Sequence, residues 1–226
     1  MTLPSITALV PMRHHSQRVP GKNYRLLDGK PLYQHILTTL QKVPEVREIV
    51  VDTDSTEIIA GLKRSFPEVH VIDRPEHLRA DEISMNTILL HDISQAPSEL
   101  YLQTHSTNPL LKAETISAAI HKLVDAMPQY DSLFSVTRLQ TRLYDQHGKA
   151  INHDPRVLIQ TQDLPPVYEE NSCIYLFPPQ TLQQNGTRIG KHPILFETDP
   201  DESWDIDEEI DFKLVEMILQ ARKYAQ

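Results

Sequence analysis

Residues 11 to 23 read PMRHHSQRVPGKN and carry three cations, Arg13, Arg18 and Lys22, together with the hydrogen-bonding side chains of Ser16 and Asn23. Such a stretch can hold a phosphate or another anion through side chains alone. A backbone cradle is excluded, because a P-loop needs GxxxxGK followed by Ser or Thr. Here Gly21-Lys22 is followed by Asn23, and no glycine stands five residues earlier. The GxGxxG dinucleotide fingerprint is absent as well, in a chain with six glycines in all. The bland alternative is a solvated basic turn, since charge runs usually face water.

Two acidic stretches also have chemical potential. In WDIDEEID (204–211), Asp205 and Asp207 alternate, so an extended backbone would turn both carboxylates to one side and Ile206 to the core. Hard oxygen ligands at that spacing suit Mg²⁺, or Mn²⁺, which takes one or two carboxylates and completes its shell with water and substrate phosphates. The same acids would serve equally well as the negative start of a last helix. An EF-hand over residues 199–210 fails, with Trp204 where the turn needs glycine and Ile210 where glutamate should ligate. In VVDTDST, Asp52 to Thr56 matches the DxDxT loop of haloacid-dehalogenase-type phosphatases, but no downstream glycine-and-aspartate metal motif accompanies it. Otherwise Asp54 and Ser55 are a strand end and a helix cap.

The elements that must position these residues alternate along the chain. Strands are expected at 6–12, 47–54, 68–73, 99–104, 132–138 and 173–177. Helices are expected at Leu32–Leu40, from the Ser55 cap to about Phe66, from the Ser84 cap to about Ser94, at Lys112–Met127, and in the closing stretch that runs to Ala225. This pattern argues for an α/β fold with a mostly parallel sheet covered on both faces. Ligands of such sheets sit at the carboxyl ends of the strands, where the cationic loop falls. From about 138 to 170 the alternation breaks, with a hairpin expected at His147-Gly148 and an irregular QTQDLPPVYEEN. This reads as an insertion, a lid or a dimer arm.

The length of 226 residues allows one α/β domain with a good core. A net charge of −9 argues against nucleic-acid and anionic-membrane partners, which need a basic surface. The single cysteine, Cys173, excludes an internal disulfide and suits a cytoplasmic setting. No leader or apolar run of the roughly 20 residues of a membrane span is expected. None of the eleven histidines forms HExxH or sits at zinc-finger spacing.

Taken in order, the motifs resemble the cytidylyltransferases that activate sialic acids and related 3-deoxy-ulosonic acids, the CMP-acylneuraminate synthetase family. MRHHSQRVPGKN is similar to that family's opening of arginine, two residues, serine and a basic stretch ending in P-x-K-N or P-G-K-N. VVDTDS resembles its second strand end, DRPEHLRAD its R-P-x-x-L-x-x-D, and LQTHSTNPLL its L-Q-P-T-S-P-L-R. QDLPPVYEENSCIYLF resembles Q-D-x-P-x-x-x-E-N-G-x-x-Y, and DIDEEIDF the closing D-I-D-x-x-x-D.

The resemblance implies a single nucleotidyltransferase domain over 1–226, Rossmann-like and glycosyltransferase-A-like, with a small dimerisation insertion near 138–170. It implies transfer of CMP from CTP to the anomeric hydroxyl of the sugar acid, with Mg²⁺ on Asp205 and Asp207, no nucleic-acid or membrane partner, and a homodimer. Arg13, Ser16, Lys22 and Asn23 would hold CTP, with Lys22 on the phosphates; Arg74 and Ser84 would meet the cytidine. Arg13, Lys22, Asp205 and Asp207 would form the catalytic set. Gln103, Gln162 and Asn171 would face the acid. Departures cluster on the acceptor side: the loop after Gln103 is two residues longer and has Leu111-Lys112 in place of an arginine, Thr161 precedes Gln162 where an arginine often stands, and Ser172 replaces glycine. Arg138, Arg142 or Arg156 would then supply the carboxylate partner. The other readings are the same fold with Kdo or a non-sugar acceptor, the DxDxT phosphatase, and a nucleotide sensor without turnover.

Overall fold

The computed structural model describes residues 3–224. In chain order the elements are β1 (Ile6–Leu9), β2 (Leu26–Leu27), β3 (Lys30–Pro31), α1 (Leu32–Leu40), β4 (Val46–Thr53), α2 (Thr56–Ser65), β5 (His70–Asp73), α3 (Met85–Gln95), β6 (Leu100–Gln103), α4 (Ala113–Ala126), β7 (Ser132–Leu139), β8 (Val167–Phe177), α5 (Pro179–Asn185), β9 (Pro193–Glu197) and α6 (Glu209–Tyr224). Every expected strand and helix is present; the expected helix end at Ala225 lies outside the described residues. Ser55 and Ser84 cap as their positions predict, accepting from the backbone N–H of Ile58 and Thr87.

One sheet of seven strands runs β5-β4-β1-β6-β8-β7-β9. Its pairs are parallel except those that β8 makes with β6 and β7. Period-2 alternation assigns the two faces. Ile6, Ala8 and Val10 pack with the Ile36 and Leu37 side of α1, with Ile58 and Leu62 of α2, and with Ile116 and Ile120 of α4. Leu9, Val50, Tyr101 and Phe177 point the other way, onto Leu89 and Ile93 of α3 and Leu182 of α5. A third cluster joins Val19, Leu27 and Leu32 to Ile206, Phe212 and Val215, which seats the start of α6 against the segment after β1.

Strand β1 lies between β4 and β6, so successive crossovers leave it in opposite directions. That reversal opens a crevice at its carboxyl end. The cationic loop forms one wall of it.

The irregular insertion is shorter than expected. Arg138 and Leu139 still pair with Tyr168 and Val167, so β7 and β8 carry their ladder outward and leave only residues 140–166 outside it. The expected hairpin is present, with Gly148 at φ 77° and Tyr144 bridging Ala150. Sequence reading missed α5, the edge strand β9 and the β2-β3 ribbon.

Candidate active site

The loop after β1 is fixed before any chemistry is considered. Met12 N–H donates to Asp52 O at 2.9 Å, and His14 N–H to the Asp54 carboxylate at 2.7 Å, so the end of β4 holds the loop's first residues. His14 also meets Ser55 Oγ at 2.8 Å and stacks on Tyr24. Gly21 turns the chain at φ +70°, and a Cβ there would come within 2.9 Å of the Tyr24 ring. Asn23 Nδ2 donates to Arg13 O at 2.7 Å, and Asn23 Oδ1 accepts from Ser106 Oγ at 2.7 Å. The buried amide therefore joins the loops after β1 and β6.

These loops wall a cleft of about 610 Å³. Arg13, Ser16, Arg18, Lys22 and Asn23 line one side, Arg74 and Asp81 another, His105, Ser106 and Thr107 a third, and Asp205 and Asp207 close it. The acidic stretch is extended as its alternation predicts. Ile206 is fully buried, its N–H donates to Thr107 O at 3.0 Å, and both flanking aspartates reach the cleft. Asp211 Oδ2 accepts from the N–H groups of Asp207 at 2.9 Å and Glu208 at 2.7 Å, which fixes the turn into α6.

Cations and carboxylates face each other here. Lys22 Nζ donates to Ile206 O at 2.6 Å and stands 3.3 Å from Asp207 Oδ1; Arg18 lies 2.7 Å from the same oxygen. Asp205 is different. Its Oδ1 is buried without a hydrogen-bond partner, and burial raises its pKa, against the pull of Thr107. A cation-ligating carboxylate has this signature, an oxygen out of water awaiting a positive partner. Among the described residues no group of three or more histidine, cysteine, aspartate or glutamate side chains forms a metal cluster. The pair fits an ion that draws its other ligands from water and phosphate.

Arg74 is wholly buried, ion-paired to buried Asp52, yet its Nη1 has no partner where the residue lines the cleft. Asp52 is 1% exposed, so it cannot serve as the nucleophile of a DxDxT phosphatase; it is the counter-ion of Arg74. Behind it Asp92 is buried with neither oxygen accepting a hydrogen bond, and its pKa is pushed up to about 9, by desolvation first and by Asp52 second. A proton held on Asp92 and donated to Asp52 Oδ2 would give that oxygen and one of the two Asp92 oxygens a partner. Arg13 pairs with Asp81, which also accepts from Gln17 Nε2 at 3.0 Å.

The remaining sequence-derived residues do not line the cleft. Ser84 is the exposed cap of α3. Gln103 is fully buried, with its amide among Arg188, His105 and Thr104 O. Asn171 is occupied by Ser135, Thr137 and Thr198 beside Ser172, whose φ is 59°. Arg142 and Gln162 belong to the insertion, where Arg142 donates to Ile159 O and Gln162 O accepts from Gln140. Sequence reading passed over His105, Ser106, Thr107 and Arg188. Only the position of the first three after β6 could have signalled them.

A family model described as cytidylyltransferase matches residues 7–226. The chain is 32% identical to a CMP-N,N′-diacetyllegionaminic acid synthase of Legionella pneumophila, over 97% of this chain and 98% of that one. It is 25% identical to an N-acylneuraminate cytidylyltransferase of Escherichia coli, over 96% of this chain and 52% of the relative. In fold alone it is similar to a solved CMP:2-keto-3-deoxy-manno-octonic acid synthetase complexed with CTP, at TM-score 0.71 and 15% identity, covering 96% of this chain and 99% of that one. A cleft at the sheet's switch point, walled by phosphate-type cations and a carboxylate pair, and a match over nearly the whole chain lead to one conclusion: this protein is a nucleotidyltransferase and belongs to the cytidylyltransferase family.

Proposed function

We propose that the protein transfers CMP from CTP to the anomeric hydroxyl of a sialic acid or related 3-deoxy-ulosonic acid. The acceptor oxygen attacks the α-phosphorus, the bond from that phosphorus to the bridging oxygen breaks, and pyrophosphate leaves. The single observation that carries the reading is the cleft itself, where Arg13, Arg18 and Lys22 face Asp205 and Asp207 across the carboxyl end of β1. Relatives named for CMP-sugar-acid synthesis support the choice of nucleotide and acceptor.

Reactions at phosphorus ask the protein mainly for position and charge. Lys22 and Arg18 would neutralise the triphosphate, and their present partner, the Asp207 carboxylate, keeps both aimed into the cleft. Arg74, held rigid by Asp52, would offer its unpartnered Nη1 to an acceptor atom of the base. Asp205 and Asp207 would hold Mg²⁺ or Mn²⁺, which supplies charge neutralisation on the phosphates when bound. Insertion residues would join two copies into a homodimer. A cytosolic setting suits the lone buried thiol of Cys173, whose pKa burial raises, and among the described residues no helix is long and apolar enough to cross a membrane.

The test is pyrophosphate release from CTP, with Mg²⁺, over a panel of N-acetylneuraminic acid, N,N′-diacetyllegionaminic acid and 3-deoxy-manno-octulosonic acid. Release with at least one nine-carbon acid is expected. Thermal shifts should rank CTP above UTP, ATP and GTP; equal stabilisation by a purine triphosphate, or silence across the panel, overturns the reading.

A further inference from the structure

The acceptor's carboxylate needs a cation, and the loop arginine that resemblance leads one to expect after Gln103 is missing. Within one chain the insertion arginines are turned to local partners, Arg142 to Ile159 O and Arg156 to Asp154. Arg188 is of another kind. Its side chain is only 15% exposed, its guanidinium lies 3.5 Å over the Tyr175 ring, and Nη1 donates to Gln103 Oε1 at 2.6 Å. Glu170 stands 3.9 Å from Nη2, beyond hydrogen-bond reach, and that carboxylate already accepts from the Tyr175 hydroxyl. A planar fork of donors is thus largely removed from water, its charge met within the chain only by Glu170 at the 3.9 Å limit of an ion pair, an arrangement that a closer anion would complete.

The orientation of the fork is fixed through Gln103. Arginine can only donate, so Gln103 must turn Oε1 toward Arg188 and Nε2 toward His105 Nε2, 3.0 Å away. His105 Nε2 must then accept, which makes the ring neutral with its proton on Nδ1. Burial pushing the His105 pKa down to about 4, with help from Arg188 and Lys22, agrees. His105 lines the cleft, and the Arg188 N–H lies 3.4 Å from Asn86 Oδ1, next to cleft-lining Met85. Arg188 therefore stands behind His105 on the β6–β8 side of the cleft, linked to it through Gln103 without itself lining the cavity, across β1 from the β4–β5 side that carries Arg74.

We propose that Arg188 reads the carboxylate of the sugar-acid acceptor, with Gln103 holding the guanidinium in register; the assignment rests on the cytidylyltransferase reading above. The triphosphate already has Arg13, Arg18 and Lys22, which leaves this cation for a second, smaller anion. Two parallel N–H donors match a carboxylate bidentately.

The experiment measures KM for CTP and for the best acid of the panel separately, in wild type and in Arg188→Gln and Arg188→Lys, and repeats the acid arm with its methyl ester. Wild type should prefer the acid to the ester by about 10- to 100-fold, and Arg188→Gln should erase that preference by raising the acid's KM while leaving that of CTP within about twofold. Arg188→Lys, which restores charge without the fork, should recover part of it. A wild type that uses ester and acid equally overturns the proposal without any variant, so a misfolded Arg188→Gln leaves it testable. An acid KM that does not move in Arg188→Gln, or a CTP KM that moves instead, overturns it too. Absence of pyrophosphate with every acid would strike the functional reading itself, which separates the two failures.

Discussion

At the residue scale, Lys22 and the two aspartates carry distinguishable expectations. Lys22→Ala removes hydrogen bonds to Ile206 O and Asp207 Oδ1 and should lower stability by about 1–2 kcal/mol. If the ammonium neutralises developing phosphate charge, kcat/KM should fall by about 10²–10³, a few kcal/mol. Steady-state kinetics beside a melting curve compares the two, and wild-type turnover in the variant would leave Lys22 a structural tie to the acidic segment with no part in the reaction. For Asp205→Asn the signs diverge further. Burial disfavours the Asp205 carboxylate, so the amide should leave Tm unchanged or higher while abolishing turnover. Asp207→Asn keeps an accepting oxygen but loses the charge that pairs with Arg18 and Lys22, so turnover should collapse and Tm should drop slightly. Asp211→Asn keeps an oxygen for the Asp207 and Glu208 N–H groups and should be the mildest of the three. Full activity in both of the first two variants would remove the metal assignment.

At the element scale, strand β4, strand β5's exit and helix α3 meet at Asp52, Arg74 and Asp92. The Asp92 carboxyl binds its proton more tightly folded than unfolded, so the native state holds the extra proton between about pH 4 and pH 9. Stability from this group is therefore full in acid and is lost as pH rises toward 9, with a slope of about 1.4 kcal/mol per pH unit at most. Asp92→Asn supplies a permanent donor to Asp52, so its Tm should exceed wild type at pH 8 and show a flatter pH profile. A wild-type profile already flat from pH 5 to 9 would mean that no proton is held there. The same elements show what a sequence can announce. Helix α2 and strand β4 were legible because their apolar period and the Ser55 cap are local. Helix α5 buries only Thr181 and Leu182, and β2 and β3 have two residues each, too few for any period to register. The cleft's cationic and acidic walls were legible as residue types in order. Arg188 was not, because nothing near it in sequence foretells that Tyr175 and Gln103 lie against it.

For the whole molecule, the insertion leaves Leu158 86% exposed, with Val157, Ile151 and Tyr144 also open to solvent and little core beneath them. Multi-angle light scattering at micromolar protein should give a dimer mass, and Leu158→Asp with Val157→Asp should shift it to a monomer. A monomer mass in the wild type would exclude the insertion as a dimer arm. The contact of Lys22 with Ile206, 184 residues further along, has a consequence in time. At about 5–20 residues per second, a ribosome needs roughly 10–40 s between making the two. Through that interval the growing chain carries a basic loop without its acidic wall. If the two walls together hold the nucleotide, capture would wait for the acidic segment around Asp207, and a protease nick near residue 200 should lower activity while the sheet stays whole.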